Sequence, residues 1–519
     1  MLPPYRNESF TDFSKPENEA AFRDALNKLR GEIGRTHPLV IGGDQIRLQD
    51  TFASLNPARP NEQLVHFANG TAAHVDQAVK AAGAAFDKWR FTPVEERARY
   101  ALRAAAAMRR RKHEFSALMV LEVGKSWFEA DLDTSEAIDF LEYYARQLMR
   151  IQDSSHLLYP IQGEKITLEY IPLGVGAVIS PWNFPNAIAM GMIAASLLGG
   201  NTVVFKPAEQ SPWIGYKICE LFWEQGLPDG VLNYLTGPGH VVGAAMVEHP
   251  GTRFIAFTGS KEVGIGIYEQ AAKVRKGQQW LKRSILEMGG KDPVVVDETA
   301  SVEEAAQGIV AGAFTFQGQK CSCGSRAIMV NDLYDRVTDR VVELASKLTV
   351  GDPSEGPHIY MGPVIDIDSF NKINDYMEIG SQEGKLLLGG QPMRTASGGY
   401  FIPPTIYGDL AWDSRVATEE IFGPVLALVR TESWQRGIEI ANSTEYGLTG
   451  AFFSSNTARL EHARKTLHVG NLYLNRKSTG AFVGAHPFGG FNLSGTDTKA
   501  GGPDYLYQFM QAKTIAERL

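Results

Sequence analysis

Short apolar runs alternate with amphipathic stretches through the middle of the chain. Residues 176–180, 202–206, 231–235 and 254–257 are apolar runs of strand length, and helical spacing fills about 186–198, 212–225 and 240–248 between them. Strands that are apolar on both faces and separated by helices predict a parallel, doubly wound α/β sheet, whose ligands lie beyond the carboxyl ends of the strands. A second alternation begins at 293–296 and continues through a helix near 302–316, a strand at 326–330 and a helix near 333–347, with a further strand at 425–429. It predicts a second α/β domain.

The flanks read differently. Residues 1–35 form a polar arm with one helix, Ser14 and Pro16 near its start and Ala21, Leu26 and Leu29 on one face. Short strands are expected over 37–68, punctuated by Gly42-Gly43 and by turns at Asn56-Pro57 and Arg59-Pro60. Val75, Val79, Ala82 and Phe86 recur at helical spacing, and 95–112 and 129–149 extend that helical layer. Ile166, Leu168 and Tyr170 alternate with polar residues, and 507–518 reads as another edge strand. The expected division is an arm at 1–35, a first α/β domain at 36–152 and 172–289, a second at 290–492, and an edge-strand arm at 153–171 and 493–519.

Composition narrows the function. With 51 basic and 59 acidic residues the formal charge is −8, which offers no broad field to nucleic acid. No apolar run reaches the roughly 18 residues that span a bilayer, and the first residues lack a signal-peptide core, so a cytoplasmic, membrane-free protein is expected. Three cysteines in 519 residues make no disulfide framework, and the Cys321/Cys323 pair has no companion ligands for a metal.

Two of those cysteines lie in 314–326, between glycines at 318 and 324. Cys321 is a candidate nucleophile whose thiolate Lys320 is expected to favour, although a cysteine also serves as a small buried hydrophobe. After the strand at 254–257, the turn Thr258-Gly-Ser-Lys-Glu-Val-Gly264 opens a helix, so Ser260 and its neighbours can present N–H groups to a pyrophosphate, a weaker signal than a full G-x-G-x-x-G.

Seven motifs in order resemble the aldehyde dehydrogenase superfamily over nearly the whole chain: Pro181-Trp-Asn-Phe-Pro185, Lys206-Pro-Ala-Glu209, Phe257-Thr-Gly-Ser260, Leu286-Glu-Met-Gly-Gly-Lys291, Gly318-Gln-Lys-Cys321, Glu419-Glu-Ile-Phe-Gly-Pro424 and Pro487-Phe-Gly-Gly490. The resemblance implies a Rossmann-type cofactor domain, a catalytic domain and a β oligomerisation arm. It implies that Cys321 adds to an aldehyde, that Asn183 and the Cys321 N–H hold the oxyanion, and that Glu287 activates water against a thioester. Ser180, Trp182, Lys206, Glu209, Ser260, Gly264, Glu420 and Phe422 then belong to the cofactor site. Glu209, an acceptor for ribose hydroxyls, favours NAD over NADP.

The stretches 475–484 and 494–505 resemble the branch that oxidises L-glutamate γ-semialdehyde to L-glutamate in proline degradation. That resemblance implies Ser322, Gly480 and Ala481 at the substrate carboxylate, Glu136 at its ammonium, and Phe184 and Phe488 around its aliphatic chain. Ala481 stands where some relatives have serine, and Cys323 where alanine is common. A homo-oligomer is implied, and proline dehydrogenase becomes a possible transient partner. The alternatives are a hydrolytic dehydrogenase for another ω-semialdehyde or an aliphatic aldehyde, and a non-catalytic protein keeping the fold.

Overall fold

The computed structural model describes residues 3–151 and 157–519. Two seven-stranded sheets carry it. The first runs Arg283–Glu287, Thr252–Thr258, Val175–Ile179, Thr202–Lys206, Leu232–Tyr234, Leu39–Ile41, Asp44–Ile46, parallel through its first five strands. The second runs Lys385–Leu388, Thr405–Leu410, Val425–Thr431, Arg326–Val330, Pro293–Val296, Thr449–Phe453, Asn471–Leu474, antiparallel only at its first pair. Separate hydrophobic clusters fill both faces of each sheet, as strands apolar on both sides require.

Parallel strands all deliver their carboxyl ends to one edge. Ser180, Lys206, Ser260 and Glu287 therefore arrive together at the end of the first sheet, each at or just past the last residue of its strand. The strand Arg283–Glu287, which ends in Glu287, was not apparent from the pattern, because its first two residues are polar and half-buried at the sheet's edge.

Several boundaries differ from expectation. The face of the first helix, Pro16–Arg30, buries Phe22 with Leu26 and Leu29, whereas Ala21 points outward. Phe22 stacks on Trp127 at 4.1 Å, so the larger ring sets the face. Arg59-Pro60 is not a turn: it begins the long strand Arg59–Ala68, where Thr36–His37 pairs only near the far end and the antiparallel ladder with Thr51–Asn56 shifts register between Arg59 and Gln63, leaving Pro60 without a paired residue. A helix at Lys112–Val123 escaped notice because Phe115 to Val123 are all buried, which erases any amphipathic period.

The arm packs onto the helix Trp127–Ile151. Thr11 donates through N–H and Oγ1 to Asp131, and the Glu8 N–H donates to Asp139. At the other end, Glu164–Pro172 and Met510–Arg518 form an antiparallel two-stranded sheet. Residues 152–156, which include the start of the expected oligomerisation arm at 153, lie outside the described residues. The chain from 493 to 509, also assigned to that arm, packs instead against the first domain: Tyr505, Leu506 and Phe509 join its core, and the Ser494 carbonyl accepts from Met288. No helix among the described residues is long and apolar enough to cross a membrane.

Candidate active site

After the helix Val302–Phe314 the chain passes through Phe316 (φ 51°), Gln317 (φ 57°) and Gly318 (φ 69°), three successive left-handed residues. A Cβ at 318 would lie 2.2 Å from the Gly423 carbonyl, so only glycine fits there. The two non-glycine residues cost about 1–3 kcal/mol each, and surrounding contacts hold them. Gln317 Nε2 donates to the carbonyls of Gly124 (3.1 Å) and Pro363 (2.8 Å), and Gln319 Oε1 accepts from the Ile365 N–H (2.9 Å). The Lys125 ammonium, paired with Asp133 at 3.0 Å, lies 4.4 Å from the Phe316 ring centre and 3.6 Å from that of Phe184. This tightly braced turn delivers Cys321 to the junction of two cavities, both of which it lines.

Burial pushes the Cys321 thiol well above its ordinary range, and the nearby carboxyl groups of Asp292, Glu287 and Glu420 push the same way. Lys320 does not offset this as expected. Its ammonium pairs with Glu129 at 2.7 Å, with both side chains almost wholly buried. The thiol therefore holds its proton and needs a base to receive it.

Glu287 can be that base. Burial raises its carboxyl to about 8, against the lowering effect of the Thr498 hydroxyl, which donates to Oε1 at 3.2 Å. Its Oε2 is buried without a partner among the described residues. Asn183 Nδ2 donates to the Gln319 carbonyl at 3.1 Å, which fixes the amide against the nucleophile loop and leaves its second hydrogen for another acceptor.

The first cavity carries Trp182, Asn183, Ser260, Glu420 and Phe422 from the expected set. Phe422, itself left-handed at φ 59°, meets Trp182 edge-on at 5.5 Å. The Gly290 N–H donates to Glu420 Oε1 at 3.0 Å, and a Cβ on Gly289 would lie 2.2 Å from Oε2. Ser260 caps the helix Lys261–Ala272 by accepting from the Val263 N–H, which leaves its O–H hydrogen free to donate, and the helix end faces the cavity. Gly264 lies beneath rather than in the wall, letting Met288, which lines it, approach closely.

Farther along the strand ends, Lys206 is buried with its ammonium on the Pro207 carbonyl, and exposed Glu209 accepts from the Gly239 N–H at 2.8 Å. Ser180 has a buried hydroxyl without a partner among the described residues. A dinucleotide fits this donor set: a helix N-terminus for phosphate, carboxylates at Glu209 and Glu420 for two riboses, an aromatic edge at Phe422, and a backbone that runs bare against Glu420.

The second cavity gathers Glu136, Phe184, Ser322, Gly480, Ala481 and Phe488 beside Cys321 and Glu287. Ser322 Oγ is 2.8 Å from Thr479 Oγ1, and Gly480 takes φ 88°. Burial raises Glu136 to about 8, with Asp133 and Asp139 adding to the effect. Sequence reasoning missed Lys477 and Thr479 in this wall, and Thr498 behind Glu287. The first two sit inside the stretch 475–484 that marked the substrate branch, so the signal was present, but a lysine and a threonine in a polar loop carry no pattern of their own. Among the described residues no group of three or more His, Cys, Asp or Glu could hold a metal ion.

One nucleophile between a dinucleotide-shaped cleft and a pocket with an acidic far end can oxidise a small charged carbonyl compound. A model of the aldehyde dehydrogenase family matches residues 46–515. The chain is 54% identical to a 1-pyrroline-5-carboxylate dehydrogenase from Geobacillus sp. (strain WCH70), over the full length of both. It is similar to the structure of 1-pyrroline-5-carboxylate dehydrogenase from Thermus with bound NAD, at TM-score 0.97 and 48% identity over all of both chains. It is also similar to proline utilization A from Bdellovibrio bacteriovorus, at TM-score 0.96 and 42% identity, matching 99% of this chain and 53% of that one.

Proposed function

We propose that this chain, which belongs to the aldehyde dehydrogenase family, oxidises L-glutamate γ-semialdehyde, the open form of 1-pyrroline-5-carboxylate, to L-glutamate with NAD. The observation that carries this reading is the position of Cys321, which lines both the cofactor-type cleft and the pocket whose far end holds Glu136, Gly480 and Ala481.

The Cys321 sulfur adds to the aldehyde carbon as its proton passes to Glu287. The new alkoxide takes hydrogen bonds from the free Asn183 amide hydrogen and the Cys321 N–H. NAD bound in the first cavity supplies the two-electron acceptor. Trp182, Phe422 and the helix opened by Ser260 orient it, Lys206 and Glu209 hold its adenosine end, and Ser180 lends its unpartnered hydroxyl. Glu420 takes the second ribose. Glu287 gives the thiol proton up to solvent; as carboxylate it then accepts a proton from the water that attacks the thioester, and Cys321 leaves as thiolate.

In the second cavity Glu136 accepts from the substrate ammonium, Ser322 and the N–H groups of Gly480 and Ala481 meet its carboxylate, and Phe184 and Phe488 flank its carbon chain. A carboxylate at Glu209 repels the 2′-phosphate of NADP. The outlying strand pair Glu164–Pro172 and Met510–Arg518 supports assembly with a second copy, since its outer edges carry no ladder partner among the described residues. We place the enzyme in the cytoplasm, where a separate proline dehydrogenase would supply the substrate.

An NAD reduction assay with L-glutamate γ-semialdehyde beside succinic and straight-chain aldehydes tests the reading. A higher kcat/KM for the other aldehydes would overturn the substrate assignment.

A further inference from the structure

Lys320 and Lys477 line the substrate pocket and Lys125 packs behind its Phe184 ring; two of the three are already neutralised. Lys125 is held by Asp133 at 3.0 Å, and Lys320 by Glu129 at 2.7 Å. Lys477 differs. It is half-buried, lines the pocket, and has no ion-pair partner among the described residues. A Cβ added to Gly480 would lie 3.7 Å from Lys477 Nζ, which places the ammonium against the backbone at 480. Arg476 Nη2 donates to the carbonyls of Thr479 (3.3 Å) and Gly480 (3.1 Å), so the turn that carries Lys477 and Gly480 is closed from its carbonyl side.

Its position along the pocket is specific. Cys321 lines the inner cavity alone of the two on this side, whereas Glu136, Lys477, Gly480 and Ala481 line both the inner cavity and an outer one that continues it. The unpaired cation therefore belongs, like Glu136, to the stretch of wall that the two cavities share and that Cys321 does not line. A carboxylate and an ammonium on one carbon atom need a cation and an anion within reach of the same point. Burial first, then the charges of Lys320 and Arg476, lower Lys477 against the raising effect of the Glu129 carboxylate, which Lys320 already holds, so an arriving anion meets a partly desolvated charge and gains more than it would at an exposed lysine.

We propose that Lys477 is a specificity-determining residue that binds the α-carboxylate of the substrate by direct charge, alongside the backbone donors at 480 and 481. This rests on the substrate reading above. Lys477 selects aldehydes that carry an anion at the far end, and Glu136 selects among those for the ones that also carry a cation.

The test compares purified wild-type enzyme with Lys477→Met and Lys477→Arg, using NAD with L-glutamate γ-semialdehyde or pentanal, and L-glutamate as competitive inhibitor. The expected result for Lys477→Met is a KM for the semialdehyde and a Ki for L-glutamate raised roughly ten- to hundredfold, the range of a hydrogen bond to a charged group. The kcat/KM preference for the semialdehyde over pentanal falls in step, and Lys477→Arg recovers most of it. In the unmodified enzyme, added salt raises the semialdehyde KM more than the pentanal KM, which keeps the idea testable should the methionine variant misfold. A preference unchanged in Lys477→Met, or a semialdehyde KM indifferent to salt, overturns the role of Lys477. A wild-type enzyme that does not prefer the semialdehyde overturns the substrate reading instead.

Discussion

Thr498 Oγ1 donates to Glu287 Oε1 at 3.2 Å, from 211 residues farther along the chain. It is the one side-chain hydroxyl that stabilises the charged form of a carboxyl group which burial has raised to about 8. Deacylation needs that charged form, so kcat is expected to rise with pH until about 8 and then level. In Thr498→Val the stabilising donor is gone, the carboxyl is harder to ionise, and the rising limb moves to higher pH. A kcat–pH profile of both proteins checks the sign; an unmoved limb would show that another group controls it.

Glu287→Gln keeps the shape of the carboxyl but cannot take the water proton. Turnover is expected to fall roughly 10²- to 10⁴-fold. Since the Cys321 proton also passes to Glu287, reduced nicotinamide is expected to appear without a rapid burst, and mass spectrometry finds little acyl group accumulated on Cys321. A full burst of about one equivalent per site followed by a slow phase would instead assign Glu287 chiefly to deacylation.

Cys321→Ala removes the only sulfur among the described residues that lines both cavities. No NAD reduction is expected above background, while NAD still quenches intrinsic fluorescence on titration, because the cleft walls are untouched. Persistent turnover would refute the covalent mechanism.

Gly289→Ala puts a methyl group where Glu420 Oε2 would be 2.2 Å away. The carboxylate must swing off the position proposed for the second ribose, a shift its flexible side chain makes at little cost to the fold. Calorimetric NAD binding is expected to weaken roughly tenfold or more, with little change in the affinity for L-glutamate.

Glu129→Gln leaves Lys320 almost wholly buried with no counter-charge. Breaking one side of a buried pair costs about 3–5 kcal/mol, whereas replacing both by apolar residues is far milder. Differential scanning fluorimetry is expected to show a lower Tm for Glu129→Gln and substantial recovery in Glu129→Leu/Lys320→Met. An equal loss in the double variant would mean that the pair itself, rather than the orphaned charge, sets stability.

The alternation of apolar strands and helices was readable because parallel strands buried on both faces leave an uninterrupted apolar run, and such runs survive in any sequence that builds this sheet. It was enough to place Ser180, Lys206 and Ser260 at strand ends. The helix Lys112–Val123 was unreadable for the opposite reason: buried on every side, it has no polar face to set a period. Arg283–Glu287, polar at its start, shows its character only through its pairing with Thr252–Thr258.

The sequence by itself determined the two-sheet class, the family, and the residues of the ordered motifs that face the two cavities, Cys321, Glu287 and Asn183 among them, since these follow from local patterns. Tertiary structure alone decided their electrical state. Lys320 beside Cys321 looked like an activator until the fold set Glu129 against it, and Lys477 looked like loop until the fold left it unpaired beside Gly480. Charge interactions depend on distance and burial between segments hundreds of residues apart, and neither quantity is written in the order of the chain.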